Sequence, residues 1–215
     1  MSNTIEQMLK DLYEGNAEAV KAGVEKALAE GTSAQDILDQ GLLAGMDVVG
    51  RDFKSGDLYI PEVLLCARAM HAGLDVLKPL LAESRGGMGR AALGKLVIGT
   101  VQGDLHDIGK NLVSMMLEGA GFEVTDLGID TAPEKFVEAV RTLQPKIVGM
   151  AAMLTTTMPV MKTVIEALTE AGLRDKVKVL IGGAPVTSAF AKQIGADAYA
   201  PDAATAVDVA RGLAA

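Results

Sequence analysis

The sequence predicts a four-helix bundle followed by an open, doubly wound parallel sheet of five strands. Three observations lead there. Across residues 4–81 apolar residues recur at helical spacing with no strand signal. Residues 84–90 then place three glycines in seven positions. From residue 95 onward, short β-branched runs alternate with helical periods, the pattern of consecutive βα units.

The first helix is read from Ile5, Met8, Leu9 and Leu12, and the second from Val20, Val24 and Leu28. The third follows Ile37, Leu38, Leu42, Met46, Val49 and Phe53. Asn16 and Ser33 are expected N-caps, with Asp36 three residues after Ser33 resembling a capping box. Lys54-Ser55-Gly56-Asp57 is the most turn-like stretch, and Pro61 suits the first position of a fourth helix. Short joints between such helices describe an antiparallel bundle over residues 1–85. The glycine-rich segment predicts a linker over 86–92 and a second domain over 93–215. In that domain strands are expected at 95–101, 122–125, 146–151, 177–181 and 196–199. Helices are expected from about Gly109, Pro133, Met158, Val186 and Ala203. Ligands of such sheets sit outside the carboxyl ends of the strands, so the loops after strands one, three and four are where a site is expected.

Composition narrows the function. The 215 residues carry 20 Lys+Arg against 28 Asp+Glu, a net charge of −8, with no basic cluster of the kind a phosphate backbone requires, so nucleic acid is not an expected partner. No apolar run reaches the ~18 residues needed to span a bilayer, and the first residues lack the basic and apolar regions of a signal peptide. A lone Cys66 fits a reducing, cytoplasmic compartment. The core is aliphatic, with 11 Met, no Trp and 24 Gly, which suits close packing against something flat or large.

Chemistry concentrates in the loop after the first strand, Gln102-Gly103-Asp104-Leu105-His106-Asp107-Ile108-Gly109, which holds one of only 2 histidines. An imidazole two residues from a carboxylate serves as a general base, a metal ligand or a polar surface turn. A protein-built zinc site needs about three or four ligands, and no second His or Cys lies nearby in sequence. If His106 binds a metal, a cofactor must supply most of the other ligands. The loops after strands three and four, which include Ala151, Met153, Thr155, Thr157, Gly182 and Gly183, are built from small, hydroxyl and methionine residues. There is no GxxxxGK[ST] and no GxGxxG after the first strand, which leaves a slot for a bulky planar group as the alternative to phosphate binding.

Asp104-x-His106-x-x-Gly109 followed by Gly182-Gly183, behind a helical domain, resembles the corrinoid proteins of cobalamin-dependent methyltransferase systems. These include the cap and cobalamin-binding domains of methionine synthase and the methylamine, methanol and methoxy-aromatic corrinoid proteins. The resemblance covers nearly the whole chain. It implies a helical cap over 1–85 and a flavodoxin-like, Rossmann-type five-stranded domain over 93–215, hinged at Gly86–Gly89. It implies a cobalamin or related corrinoid bound base-off and His-on, carrying a methyl group through Co(I) and methyl-Co(III). Implied partners are a substrate-specific donor methyltransferase, an acceptor methyltransferase using a tetrahydropterin or a thiol coenzyme, and a reductive activase. The chain would then be a non-autonomous corrinoid subunit.

The resemblance also assigns roles. His106 is the lower axial ligand to cobalt, Asp104 accepts its other ring N–H, and Thr157 hydrogen-bonds that Asp in a relay. Gly103, Leu105, Asp107, Ile108 and Gly109 lie at the corrin edge. Thr155, Gly182, Gly183 and Ala203 line the nucleotide tail, and Phe53, Ile60 and Val63 form the apolar cap. The family's Ser-x-Leu is replaced by Ala151-x-Met153, which either removes a hydrogen bond to the lower base worth on the order of 1 kcal/mol or marks a corrinoid with a different lower base. Two other corrinoid classes share the binding motif: sensors, which append a signalling module, and adenosylcobalamin mutase small subunits, which need no methyl-shielding bundle. Apart from the resemblance, Phe53, Ile60 and Val63 read as bundle core, Cys66 as a small buried hydrophobe, and His71 as a surface or interhelical residue.

Overall fold

The computed structural model describes residues 2–83 and 93–215. The expected linker at 86–92, with its hinge glycines, lies outside the described residues. The chain divides into two compact units, Met1–Arg90 and Ala91–Ala215.

The first unit begins with α1 (Asn3–Tyr13), α2 (Ala17–Ala29) and α3 (Ala34–Ile37). A π-helical turn (Leu38–Leu43) then leads into α4 (Ala44–Ser55), and α5 (Ile60–Glu83) completes the unit. The periodic residues point inward: Ile5, Met8, Leu12, Val20, Val24, Leu42 and Val49 are buried. Asn16 caps α2 by accepting from the Ala19 N–H at 3.2 Å. Ser33 caps α3 by accepting from the Asp36 N–H at 3.1 Å, but the reciprocal half of a capping box is missing. The Ser33 hydroxyl instead donates to Asp36 Oδ2 at 2.6 Å. Asp has one methylene fewer than the Glu of a capping box, which shortens its reach toward the capping backbone. Ser33→Ala is expected to cost about 1 kcal/mol, read as a lower urea midpoint at unchanged m-value.

What the spacing does not foretell is the π-helical turn, which makes one helical path of α3 through α4. Its Gly41 faces Met8, where an added Cβ would lie 2.1 Å from the methionine methyl. A close approach to α1 is therefore one use of the glycine-rich composition. Cys66 is buried and its thiol donates to the Tyr13 carbonyl at 3.1 Å. Burial pushes that thiol up to about 11, so it stays protonated and unreactive at neutral pH.

The second unit is a parallel sheet of β1 (Gly94–Thr100), β2 (Phe122–Asp126), β3 (Ile147–Ala151), β4 (Lys178–Gly182) and β5 (Ala198–Ala200). The strands are ordered β2-β1-β3-β4-β5. Between them run α6 (Ile108–Gly119), α7 (Pro133–Leu143), α8 (Val160–Glu170) and α9 (Ser188–Ile194), with α10 (Ala203–Ala214) last. The expected alternation is present, with strand ends moved by up to two residues. A short 3-10 turn at Arg174–Lys176, which the sequence pattern does not signal, precedes β4. Val97, Val148, Met150, Val179 and Ile181 on one face of the sheet pack with Phe136 of α7 and Met161, Val164 and Leu168 of α8. Helices α6 and α10 pack together and against the sheet. Chain order reverses at β1, which has β2 on one side and β3 on the other, so the crevice outside the carboxyl ends of β1 and β3 is the expected binding position. Among the described residues no helix is long and apolar enough to cross a membrane.

Candidate functional site

The β1 loop turns back over the sheet edge at Gly103, whose φ of +82° lies in the left-handed region that favours glycine. The turn closes with the Asp104 N–H donating to the Val101 carbonyl at 3.1 Å, and it carries the Asp104 side chain fully inside. Five donors converge on that carboxylate. Oδ1 accepts from the His106 N–H at 3.1 Å and from His106 Nδ1 at 2.7 Å. Oδ2 accepts from the Thr157 hydroxyl at 2.6 Å, the Met153 N–H at 2.7 Å and the Leu154 N–H at 3.3 Å. Burial alone would push the carboxyl up; the Thr157 hydroxyl, the Met153 N–H and His106 outweigh it and hold Asp104 well below the usual carboxylate range.

That balance sets the histidine's state. An ionised carboxylate can only accept, so the hydrogen sits on Nδ1 and the Nε2 lone pair of the neutral ring is free to bind a ligand. The main chain of His106 is held as firmly as its ring, since the buried Thr100 hydroxyl donates to its carbonyl at 2.9 Å. The imidazole itself is 55% exposed. Leu105, Ile108, Met153 and Leu154, from the same two loops, are exposed apolar residues. Gln102, Asp107, Thr155 and Thr156 of the same loops are exposed as well, so the imidazole stands among apolar and polar side chains.

The structure brings Gly103, Asp104, His106, Met153 and Thr157 together. Asp107 starts α6 and accepts from Asn111 Nδ2 at 3.1 Å. Buried Lys110 pairs with Asp126 at the end of β2 and with Asn111 Oδ1, anchoring the helix that follows the loop. Gly109 is exposed, and a Cβ there would meet nothing within 4 Å, so nothing in the protein itself requires glycine. At Gly183 the protein does require it: φ is +129° and a Cβ would fall 1.9 Å from the Ala152 carbonyl oxygen. A Cβ on Gly182 would fall 2.9 Å from the Ala200 carbonyl oxygen. The bare backbone at these two positions thus serves the approach of neighbouring strand ends. Ala151 is half-buried and pairs with Gly182 across β3 and β4, Thr155 is exposed, and Ala203 is buried at the start of α10.

Phe53, Ile60 and Val63 belong to the first unit. Ile60 is exposed, Phe53 is half-buried, and Val63 is fully buried and offers no surface. Tyr59, in the same segment as Ile60, is the more exposed of the two, and Leu64 next to Val63 is exposed where Val63 is not. Sequence reasoning missed Thr100 and Leu154: their contributions are contacts made through the fold, with no motif to signal them.

Comparison with known proteins now bears on this geometry. The B12 binding domain family matches residues 94–208, and a second family of B12 binding domains matches residues 4–78. The dimethylamine corrinoid protein 1 of Methanosarcina acetivorans is 48% identical over 196 residues, covering 91% of this chain and 90% of that protein. The chain belongs to the corrinoid proteins of methyltransferase systems. Another relative of this corrinoid protein is the trimethylamine corrinoid protein 1 of the same organism, 43% identical over 88% of this chain and 87% of that one. The methanol:cobalamin methyltransferase complex from Methanosarcina barkeri matches in structure with a TM-score of 0.89 at 32% identity, covering 99% of this chain and 80% of that one.

The cofactor is a corrinoid, and the residues fit it. Among the described residues no group of three or more His, Cys, Asp or Glu side chains could hold a metal ion. A corrinoid brings most of the donors to its own cobalt, so a single protein donor would suffice, and His106, oriented by the buried Asp104 carboxylate, would be the residue to supply it.

Proposed function

We propose that this corrinoid protein is a methyl carrier that binds its cofactor base-off, with His106 as the lower axial ligand, and serves a donor and an acceptor methyltransferase in turn. The observation that carries the reading is the Asp104 carboxylate, which receives Nδ1 of His106 and leaves Nε2 to bind. The corrinoid, when bound, supplies the cobalt atom that takes up and gives away the methyl group. The protein's work is orientation. Asp104 fixes the tautomer and plane of the His106 ring, and the Met153 and Leu154 amides hold Asp104 on its far side. The Thr157 hydroxyl donates to the same oxygen.

Relatives named for dimethylamine and trimethylamine favour a methylamine methyltransferase as the donor partner. The matched methanol:cobalamin complex supports direct pairing with a methyltransferase. The acceptor enzyme, a reductive activase and a cytoplasmic location complete the reading. To test it, apo-protein is mixed with hydroxocobalamin: the wild type is expected to give the spectrum of a His-ligated, base-off corrinoid, and His106→Ala to lose that ligation. Identical spectra from the two proteins sink the ligand assignment. Methylation of the reconstituted protein by a panel of donor methyltransferases then identifies the donor.

A further inference from the structure

We propose that Asp130, in the loop after β2, is a positioning residue for the axial ligand: it brackets the Gly103–Asp104 turn and so sets where the Asp104 carboxylate meets His106. The inference rests on the reading of His106 as the ligand. Asp130 is one of two non-glycine residues with positive φ among the described residues, at +47°. Such a conformation is unfavourable for a residue other than glycine, although Asp bears it better than most. Left-handed backbone at a non-glycine residue persists when surrounding contacts over-determine it, and here they can be named.

The loop is first zipped to β1. The Thr100 N–H donates to the Gly128 carbonyl at 3.0 Å, the Thr131 N–H donates to the Thr100 carbonyl at 2.9 Å, and Val101 bridges Thr131 in parallel. Asp130 is thereby delivered opposite the turn. Its own N–H donates to the Asp104 carbonyl at 3.0 Å. Its Oδ1 accepts from the Gly103 N–H at 2.7 Å. One residue therefore grips the peptide before Gly103 and the peptide after Asp104, and the Asp104 Cα lies between the two grips. Asp130 makes neither contact with the imidazole; its effect on the ligand passes through Asp104. A hydrogen bond of 2.7 Å between Asp104 and His106 Nδ1 tolerates little displacement of the carboxylate.

Three substitutions separate the parts of this grip. Asp130→Asn keeps an acceptor oxygen and tolerates the backbone conformation. Asp130→Gly relieves the conformation entirely but removes the acceptor. His106→Ala supplies the ligand-free reference. The readout is the cob(II) form of each protein loaded with cobinamide, a corrinoid without a lower base of its own, and reduced, in which only a protein nitrogen can split the electron paramagnetic resonance lines. Thermal unfolding of the apo-proteins is recorded alongside. Asp130→Asn is expected to retain the wild-type ratio of His-ligated to His-free cofactor. Asp130→Gly is expected to fold and bind, with that ratio lowered by roughly tenfold, the scale of one hydrogen bond to a charged acceptor. A folded Asp130→Gly protein with the wild-type ratio overturns the proposal. So does an Asp130→Gly protein that fails to fold, because the residue would then hold up the sheet edge instead of acting through Asp104. Absence of nitrogen splitting in the wild type is a different result: it removes the ligand reading itself.

Discussion

Asp104→Asn is expected to destabilise the sheet unit by about 3 kcal/mol at neutral pH, the cost of leaving buried donors without a charged acceptor. Asparagine matches aspartate in shape, so no cavity is made. Its amide can accept at only one of its two positions, however, while Oδ1 of Asp104 receives two donors and Oδ2 three. Whichever way the amide turns, its NH2 faces N–H or O–H groups. The charge also sets a pH dependence. Because the native carboxyl is held below its usual range, its stabilisation is fully present above about pH 4, the unfolded value, and drains away as the pH falls toward the native value. The variant should lack that acid limb. Urea unfolding of the apo-protein from pH 7 down to pH 3 measures both effects, and a variant whose midpoints follow the wild type throughout would show that the five donors contribute nothing.

Gly183→Ala should do more damage still. The added methyl would stand 1.9 Å from the Ala152 carbonyl oxygen, and the backbone φ of +129° is one that L-residues avoid whatever space they have. The clashing atom belongs to main chain just past the end of β3, whose Ala151 pairs with Gly182 of β4, so relief requires parting the strand ends. A loss of about 4 kcal/mol or more is expected, in the range associated with strain at special backbone positions. Gly109→Ala is the control with the opposite signature. Its Cβ meets nothing in the protein, so the apo-protein should melt at or above the wild-type temperature while its affinity for hydroxocobalamin falls. Equal melting temperatures for Gly183→Ala and wild type would mean that the β3–β4 edge has room the structure does not contain.

These two glycines show how far the residues can be read before folding. Both stand in motifs, and the resemblance places both against the cofactor. In the folded chain one is required by the protein's own backbone and the other is not. The same division runs through the cap residues. Ile60 and Val63 lie one helical turn apart and look alike as letters, yet Ile60 is 43% exposed and Val63 is buried. A helical period marks which positions recur on a face; it does not say where along that face the neighbouring helices stop covering it. The π-helical turn was invisible for a related reason, since Leu38–Leu43 carries the same apolar spacing as an α-helix and differs only in which carbonyl each N–H finds.

Helix and strand alternation, the division near the glycine-rich segment and the Asp104-x-His106-x-x-Gly109 spacing are local properties, carried by neighbours within a few residues, and so they are legible in the letters. The Asp104–Thr157 bond was implied by family resemblance, and the folded chain makes it across 53 positions at 2.6 Å. The Gly103–Asp130 bond spans 27 positions and nothing in the sequence signals it. Parallel strands bring their carboxyl ends to one edge however far apart they lie in the chain, and the order β2-β1-β3-β4-β5 decides which loops become neighbours there. His106 could therefore be singled out from a motif as the candidate ligand, while the contacts that hold its loop, made by residues of three separate loops, came into being only with the sheet.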